Sequence, residues 1–150
     1  KDALEKPVRD LGLAANVTFS GLVSEEEKFR LLKASRVFVM PSHYESWGLV
    51  IGEAVAAGIA VVAYKLQCYP LLFGNFIQYA TPFDVDEFKR MVENEVRNQR
   101  VGNNYVAALD REPLLDSLSW QSSQRAFCRL LFDFENSPDY GSKSLVRLKK

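Results

Sequence analysis

Two short apolar runs, Val37–Met40 and Ala60–Ala63, bracket the stretch VFVMPSHYESWGLVIGEAVAAGIAVVAY. Pro41 and Ser42 stop the first run, and a polar loop and an Ala- and Gly-rich segment fill the space before the second. Runs rich in Val and Phe suit strands covered on both faces, so the economical reading is strand, loop, helix, strand. Two strands joined by a helix are normally parallel, with a right-handed crossover. Ligands in open α/β sheets bind beyond the carboxyl ends of the strands. That places the loop Ser42–Trp47 where a ligand is expected.

Two carboxylates mark this unit, Glu45 in the loop and Glu53 in the helix. The neighbours of Glu53 are Leu49, Val50, Ile51, Gly52, Ala54, Val55, Ala56 and Ala57, which leaves its helix almost no polar face. Burying a carboxylate without a partner is costly. Glu53 must therefore reach solvent at the helix edge or hold a donor such as a hydroxyl. The first turn of the helix also leaves backbone N–H groups unpaired, with a partial positive charge from the macrodipole. Gly48 removes a side chain there, so that a phosphate can approach the amides of Trp47, Gly48, Leu49 and Val50. Neither a G-x-G-x-x-G nor a Walker loop occurs, which removes the main support for dinucleotide and P-loop readings. A phosphate at one helix terminus, with carboxylates placed for hydroxyls, suggests a nucleotide sugar.

The segment PSHYESWGLVIGEAVAAGIAVVAY closely resembles the C-terminal half-domain of retaining glycosyltransferases of the GT-B fold, in particular family four, also called group 1. That family reads roughly P-S-x-x-E-G-x-G-L-V-x-x-E-A-x-A-x-G-x-P-V-V-A. The match runs through Pro41, Ser42, Glu45, Gly48, Leu49, Val50, Glu53, Ala54, Ala56, Gly58, Val61, Val62 and Ala63, with Ser46 and Ala60 as departures. Upstream, Val17–Gly21 matches the family's V-x-F-x-G strand, and the turn after that strand lies near the nucleotide base. By resemblance this points to Gly21, Leu22 and Val23; ordinary turn residues with apolar anchors would look the same.

The resemblance implies an α/β fold, a Rossmann-like parallel sheet with flanking helices. It would be the C-terminal half-domain of a GT-B fold without its first two strands. It implies transfer of a hexose from a nucleotide-diphosphate sugar, such as a UDP- or GDP-hexose, to an acceptor hydroxyl with retention of configuration. The amides of Gly48, Leu49 and Val50 would face the diphosphate, Glu53 the ribose hydroxyls, and Glu45, as the catalytic residue, the hydroxyls of the transferred sugar. Trp47 reads equally as core packing or as the floor of the sugar site. The family usually needs no metal, and no metal or separate cofactor is expected here. The acceptor (a sugar, a lipid-linked sugar or another hydroxyl) is not assigned, and an N-terminal domain of a longer protein would hold it.

The family's G-R-x segment and later Lys, which hold the donor diphosphate, have no match in this chain, nor does the Gly-rich pair after the family's fifth strand. An alternative is therefore a non-catalytic nucleotide-sugar-binding or interaction module of the same fold. A phosphorylase or an epimerase on the same fold is a third reading.

The 150 residues suit one domain, and 47% hydrophobic with 25% charged residues is ordinary globular composition. A net charge of zero gives no support to a nucleic-acid partner. Cys68 and Cys128 lack metal-ligand spacing and read as reduced thiols of a cytoplasmic protein, with a disulfide as the lesser alternative. Residues 1–13 read as a helix broken or restarted at Pro7, Val17–Ser20 as a strand, and Ser24 as the cap of a helix from Glu25. His43 reads as a loop residue lining the cleft or as a structural one; pairing with Ser42 as nucleophile and base is the weakest reading. Tyr69–Pro70 signals a turn, Phe76–Ala80 a strand, and Asp84 with Glu87 the start of a helix whose apolar face is Val85, Phe88, Met91 and Val92. Leu118–Ser119–Trp120 and the following helix resemble the family's last segment. Residues 1–136 would form the donor domain. Residues 137–150 read as a mobile basic tail, with contact to an anionic membrane face as the alternative.

Overall fold

Ala60–Tyr64 forms the central strand of the sheet, and every residue of it is buried. The computed structural model describes residues 2–119 together with residues 121, 122, 124, 125, 128 and 129. Six α-helices and three strands follow in chain order among these residues. They are α1 (Asp2–Asp10), α2 (Glu25–Ala34), β1 (Val37–Met40), α3 (Leu49–Ala56), β2 (Ala60–Tyr64), α4 (Tyr69–Phe73), β3 (Gln78–Ala80), α5 (Val85–Arg100) and α6 (Glu112–Ser117). The strands are parallel in the order β1-β2-β3, with Val39 opposite Val62 and Val62 opposite Gln78. The strand–helix–strand unit read from the sequence is therefore present as β1–α3–β2. Ile51, Ala54 and Val55 of α3 pack with Val61, Tyr69, Phe73 and Ile77 to make the core. No helix among the described residues is long and apolar enough to cross a membrane.

Three expectations are corrected. Val17–Ser20 is not a strand. A strand needs a neighbour for its backbone N–H and C=O groups, and none of the three strands pairs with this segment, in which Val17 is exposed. β1, for its part, is not fully covered: Val39 is exposed, while Val37, Phe38 and Met40 are half-buried. Pro7 does not break α1 but lies inside it. The missing N–H there removes one helical bond near the start of a short, exposed helix, and the helix closes through Leu13 N–H to Val8 C=O.

Smaller corrections follow the same physics. Tyr69–Pro70 opens α4 rather than a turn, since proline is compatible with a first helical turn. Val85 is exposed, while Phe88, Met91 and Val92 are half-buried. Capping behaves as read: Ser24 Oγ accepts from Glu27 N–H, and Asp84 Oδ1 from Glu87 N–H. Both cysteines are free thiols. Trp120 and residues 130–150, including the basic tail, lie outside the described residues.

α3 is closed off at its C-terminal end by a residue far along the chain. Arg111 Nη1 donates to Val55 C=O at 3.2 Å and to Ala56 C=O at 3.1 Å. Gly58, at φ +79°, makes the turn that follows, and a Cβ there would stand 2.9 Å from that guanidinium nitrogen. The helix is thereby fixed at the end away from the loop that carries Glu45.

Candidate functional site

β1 ends at Met40, the chain crosses the top of the sheet from Pro41 to Trp47, and α3 begins after Gly48. Gly48 adopts φ +78°, and a Cβ there would lie 2.8 Å from Tyr69 Cε1. Both the backbone and the tyrosine ring therefore demand glycine at this turn. Gly48 C=O accepts from Ile51 N–H at 2.9 Å. The amides of Leu49 and Val50 precede any possible partner within the helix.

A cleft of about 270 Å³ opens over this turn, lined by Met40, Glu45, Trp47, Gly48, Leu49 and Val50. On the other side of Glu45 a second cleft of about 390 Å³ is lined by His43, Lys65, Gln67 and Cys68. Glu45 is half-buried; its Oε1 accepts a long, 3.4 Å bond from Ser42 Oγ, and its backbone carbonyl accepts from the Cys68 thiol at 3.5 Å. Ser42 is thus turned to Glu45 rather than to His43. The His43 ring instead packs on Phe83 at 4.5 Å between centroids and on Tyr64 at 5.9 Å. That geometry leaves no nucleophile-and-base pair.

Glu53 faces a third, mostly apolar cleft of about 310 Å³ on the outer side of α3, lined also by Phe29, Trp47, Leu49 and Leu118. Its Oε1 accepts from Lys28 Nζ at 2.8 Å, and Lys28 also bonds Glu25 Oε2 at 2.7 Å. Its Oε2 is buried and has no hydrogen-bond partner among the described residues. Bonds to Glu25 and Glu53 raise the Lys28 pKa above the ordinary lysine value, so the ammonium stays charged. The partner demanded by the apolar surroundings of Glu53 is therefore present, as an ammonium, for one carboxylate oxygen only.

Of the residues singled out in the sequence, Glu45, Trp47, Gly48, Leu49 and Val50 share one cleft. Glu53 joins them through Trp47 and Leu49, which line both its cleft and theirs. Trp47 is 37% exposed, so it is a cleft wall rather than core. Leu22 and Val23 line none of these clefts, and Leu22 is fully exposed. Two residues were missed. Lys28 was not singled out: the apolar surroundings of Glu53 signalled a need for a partner but not which residue supplies it. Tyr69, fully buried against Gly48, carried no local signal at all.

The family model for Glycosyl transferases group 1 matches residues 1–106. The MMP alpha-(1->4)-mannosyltransferase of Mycolicibacterium hassiacum is 32% identical over 125 residues, 79% of this chain and 29% of that protein. The mannosylfructose-phosphate synthase of Agrobacterium fabrum is 29% identical over 65% of this chain and 22% of its own length. The crystal structure of TarM superposes with a TM-score of 0.66 at 23% identity, covering 91% of this chain and 27% of that one. The chain thus spans less than a third of the length of these proteins, and its sheet and helices correspond to part of a GT-B structure. With more than two-thirds of its residues inside the family model, the chain belongs to the group 1 glycosyltransferases.

Proposed function

We propose that this chain is the donor-binding part of a retaining glycosyltransferase, which moves a hexose from a nucleoside diphosphate sugar to an acceptor hydroxyl. The observation that carries the reading is the state of Glu53. One of its oxygens is fixed by Lys28, and the other is buried without a partner one turn inside the helix whose opening amides face the cleft of Glu45. A ribose hydroxyl supplies the donor that Oε2 lacks.

The roles are those the family resemblance implies, and the positions of the residues support them. The Leu49 and Val50 amides, at the positive end of α3, donate to the diphosphate and stabilise the charge that grows on it as the glycosidic bond breaks. Glu45 accepts hydroxyls of the transferred sugar, and the acceptor hydroxyl attacks on the face the diphosphate leaves. Neither carboxylate acts as a covalent nucleophile. Leu22 and Val23 are assigned to the base side by the family resemblance.

Calorimetric titration of the chain with UDP, GDP and ADP tests the reading. One nucleotide binds in preference, and Glu53→Ala weakens it about tenfold, equivalent to about 1.4 kcal/mol. A folded chain that binds none of the three, or binds as well after Glu53→Ala, overturns it. Adding the hexose conjugates of the preferred nucleotide, mannose included because two relatives are named for mannosyl chemistry, then identifies the sugar.

A further inference from the structure

Three tyrosines have their hydroxyl pKa pushed up to about 12, chiefly by burial: Tyr69, Tyr79 and Tyr105. Two of them hold backbone carbonyls. Tyr79 donates to Gly74 C=O at 2.8 Å and Tyr69 C=O at 3.1 Å, and Tyr105 to Val61 and Phe76 C=O at 3.4 Å each. Tyr69 differs: its side chain is completely buried, and its hydroxyl has no partner among the described residues. A phenylalanine would fill the same space without burying an unpaired hydroxyl, so packing does not account for the oxygen.

The hydroxyl lies beside the proposed donor site. The carbon that bears it, Cζ, is 3.5 Å from where a Gly48 Cβ would stand. Glu45 and Cys68 are the neighbouring groups whose charges act on it, after burial, to keep its proton on. Cys68, the residue before it, already reaches the Glu45 carbonyl. Cys68 and Tyr69, at the start of α4, therefore sit against the loop that runs from Glu45 to Gly48. In the same loop the Glu45 carboxylate is held only by the long bond from Ser42. A buried donor lacks an acceptor, and a neighbouring acceptor is weakly held.

We propose that Tyr69 is a positioning residue for Glu45. With donor bound, its hydroxyl donates to the Glu45 carboxylate and fixes that side chain against the hydroxyls of the transferred sugar. The inference rests on the sugar-binding role given to Glu45 above. A phenol that keeps its proton is a donor throughout the neutral range, which suits a carboxylate partner.

The test is calorimetry of the full chain with the preferred nucleoside diphosphate and with its hexose conjugate, for wild type, Tyr69→Phe, Glu45→Ala and the double variant. Tyr69→Phe keeps the ring beneath Gly48 and binds the free diphosphate within twofold of wild type. It loses fivefold or more of the extra affinity that the hexose adds, it costs nothing further in the Glu45→Ala background, and it melts no lower than wild type. A merely structural hydroxyl would give the opposite pattern, a lower melting temperature with the hexose increment unchanged. That result, an equal loss with and without Glu45, or a hexose that adds no affinity overturns the inference while leaving diphosphate binding intact. A folded wild-type chain that binds no diphosphate overturns the functional reading, and this inference with it.

Discussion

The Lys28 ammonium stands 2.8 Å from Glu53 Oε1, joining α2 to α3 across twenty-five residues of chain. The other side-chain ion pairs given for the described residues span three or four residues within one helix. This bond therefore does what they do not: it sets the position of one element against another. Lys28→Met keeps the aliphatic stem and removes the charge, leaving Oε1 as bare as Oε2. Nucleotide affinity falls by about twofold to fivefold, a modest loss typical of removing a partly exposed ion pair. Titration of K28M beside wild type checks this. The pKa of Lys28 is raised in the folded state, so its contribution to stability is complete below the unfolded lysine value and disappears as pH rises through the folded one. The difference in melting temperature between wild type and K28M accordingly narrows at strongly alkaline pH.

Gly48→Ala meets two obstacles at once. The backbone stands at φ +78°, and the new Cβ would lie 2.8 Å from Tyr69 Cε1. Left-handed strain of about 1–2 kcal/mol and overpacking of about 1–3 kcal/mol together predict a loss near 3 kcal/mol. Urea unfolding measures it. An unchanged midpoint would mean that the turn relaxes away from Tyr69.

Arg111→Ala frees the carbonyls of Val55 and Ala56 at the end of α3. Lost charge-assisted bonds at a half-exposed helix terminus predict about 1 kcal/mol of destabilisation. Nucleotide affinity holds within twofold, because the other end of the helix, at the Glu45 loop, is untouched. A tenfold loss of binding would show that the two ends of α3 are coupled.

Alkaline pH acts through the tyrosines. Tyr69, Tyr79 and Tyr105 titrate near 12 in the folded chain, against about 10 when unfolded. The folded state thus keeps protons that the unfolded state gives up. Stability is unaffected below about pH 10, falls between 10 and 12, and levels off beyond. Melting curves across that interval, with phenolate absorbance as the second signal, check the window. Tyr79→Phe removes one of the three steps.

The β1–α3–β2 unit was legible because each of its signals is local: apolar runs, a proline stop, a glycine turn and a carboxylate in an apolar helix. Capping by Ser24 and Asp84 was legible for the same reason, since a cap lies three residues from the amide it serves. Val17–Ser20 was misread because the V-x-F pattern reports β propensity, whereas a strand exists only where a neighbour accepts its hydrogen bonds. Glu45 and Gly48 could be placed together from sequence. Lys28 at Glu53, Tyr69 beneath Gly48 and Arg111 at Ala56 could not, since those contacts are set by how helices pack onto the sheet. Leu22 and Val23 came from resemblance, and their side chains stand apart from the clefts.

The parallel β1–α3–β2 crossover has a kinetic consequence. Glu45, Gly48 and Glu53 fall within one crossover of consecutive chain, closed by β1 pairing with β2. Contacts that close short loops pay little chain entropy and form early. The surface that carries Glu45, Gly48 and Glu53 is thus expected to take shape when β1 pairs with β2, an order that φ-values at Val39 and Val62 would test. Lys28 and Phe29 come from before the crossover, so the bond from Lys28 to Glu53 reports whether α2 has joined the site.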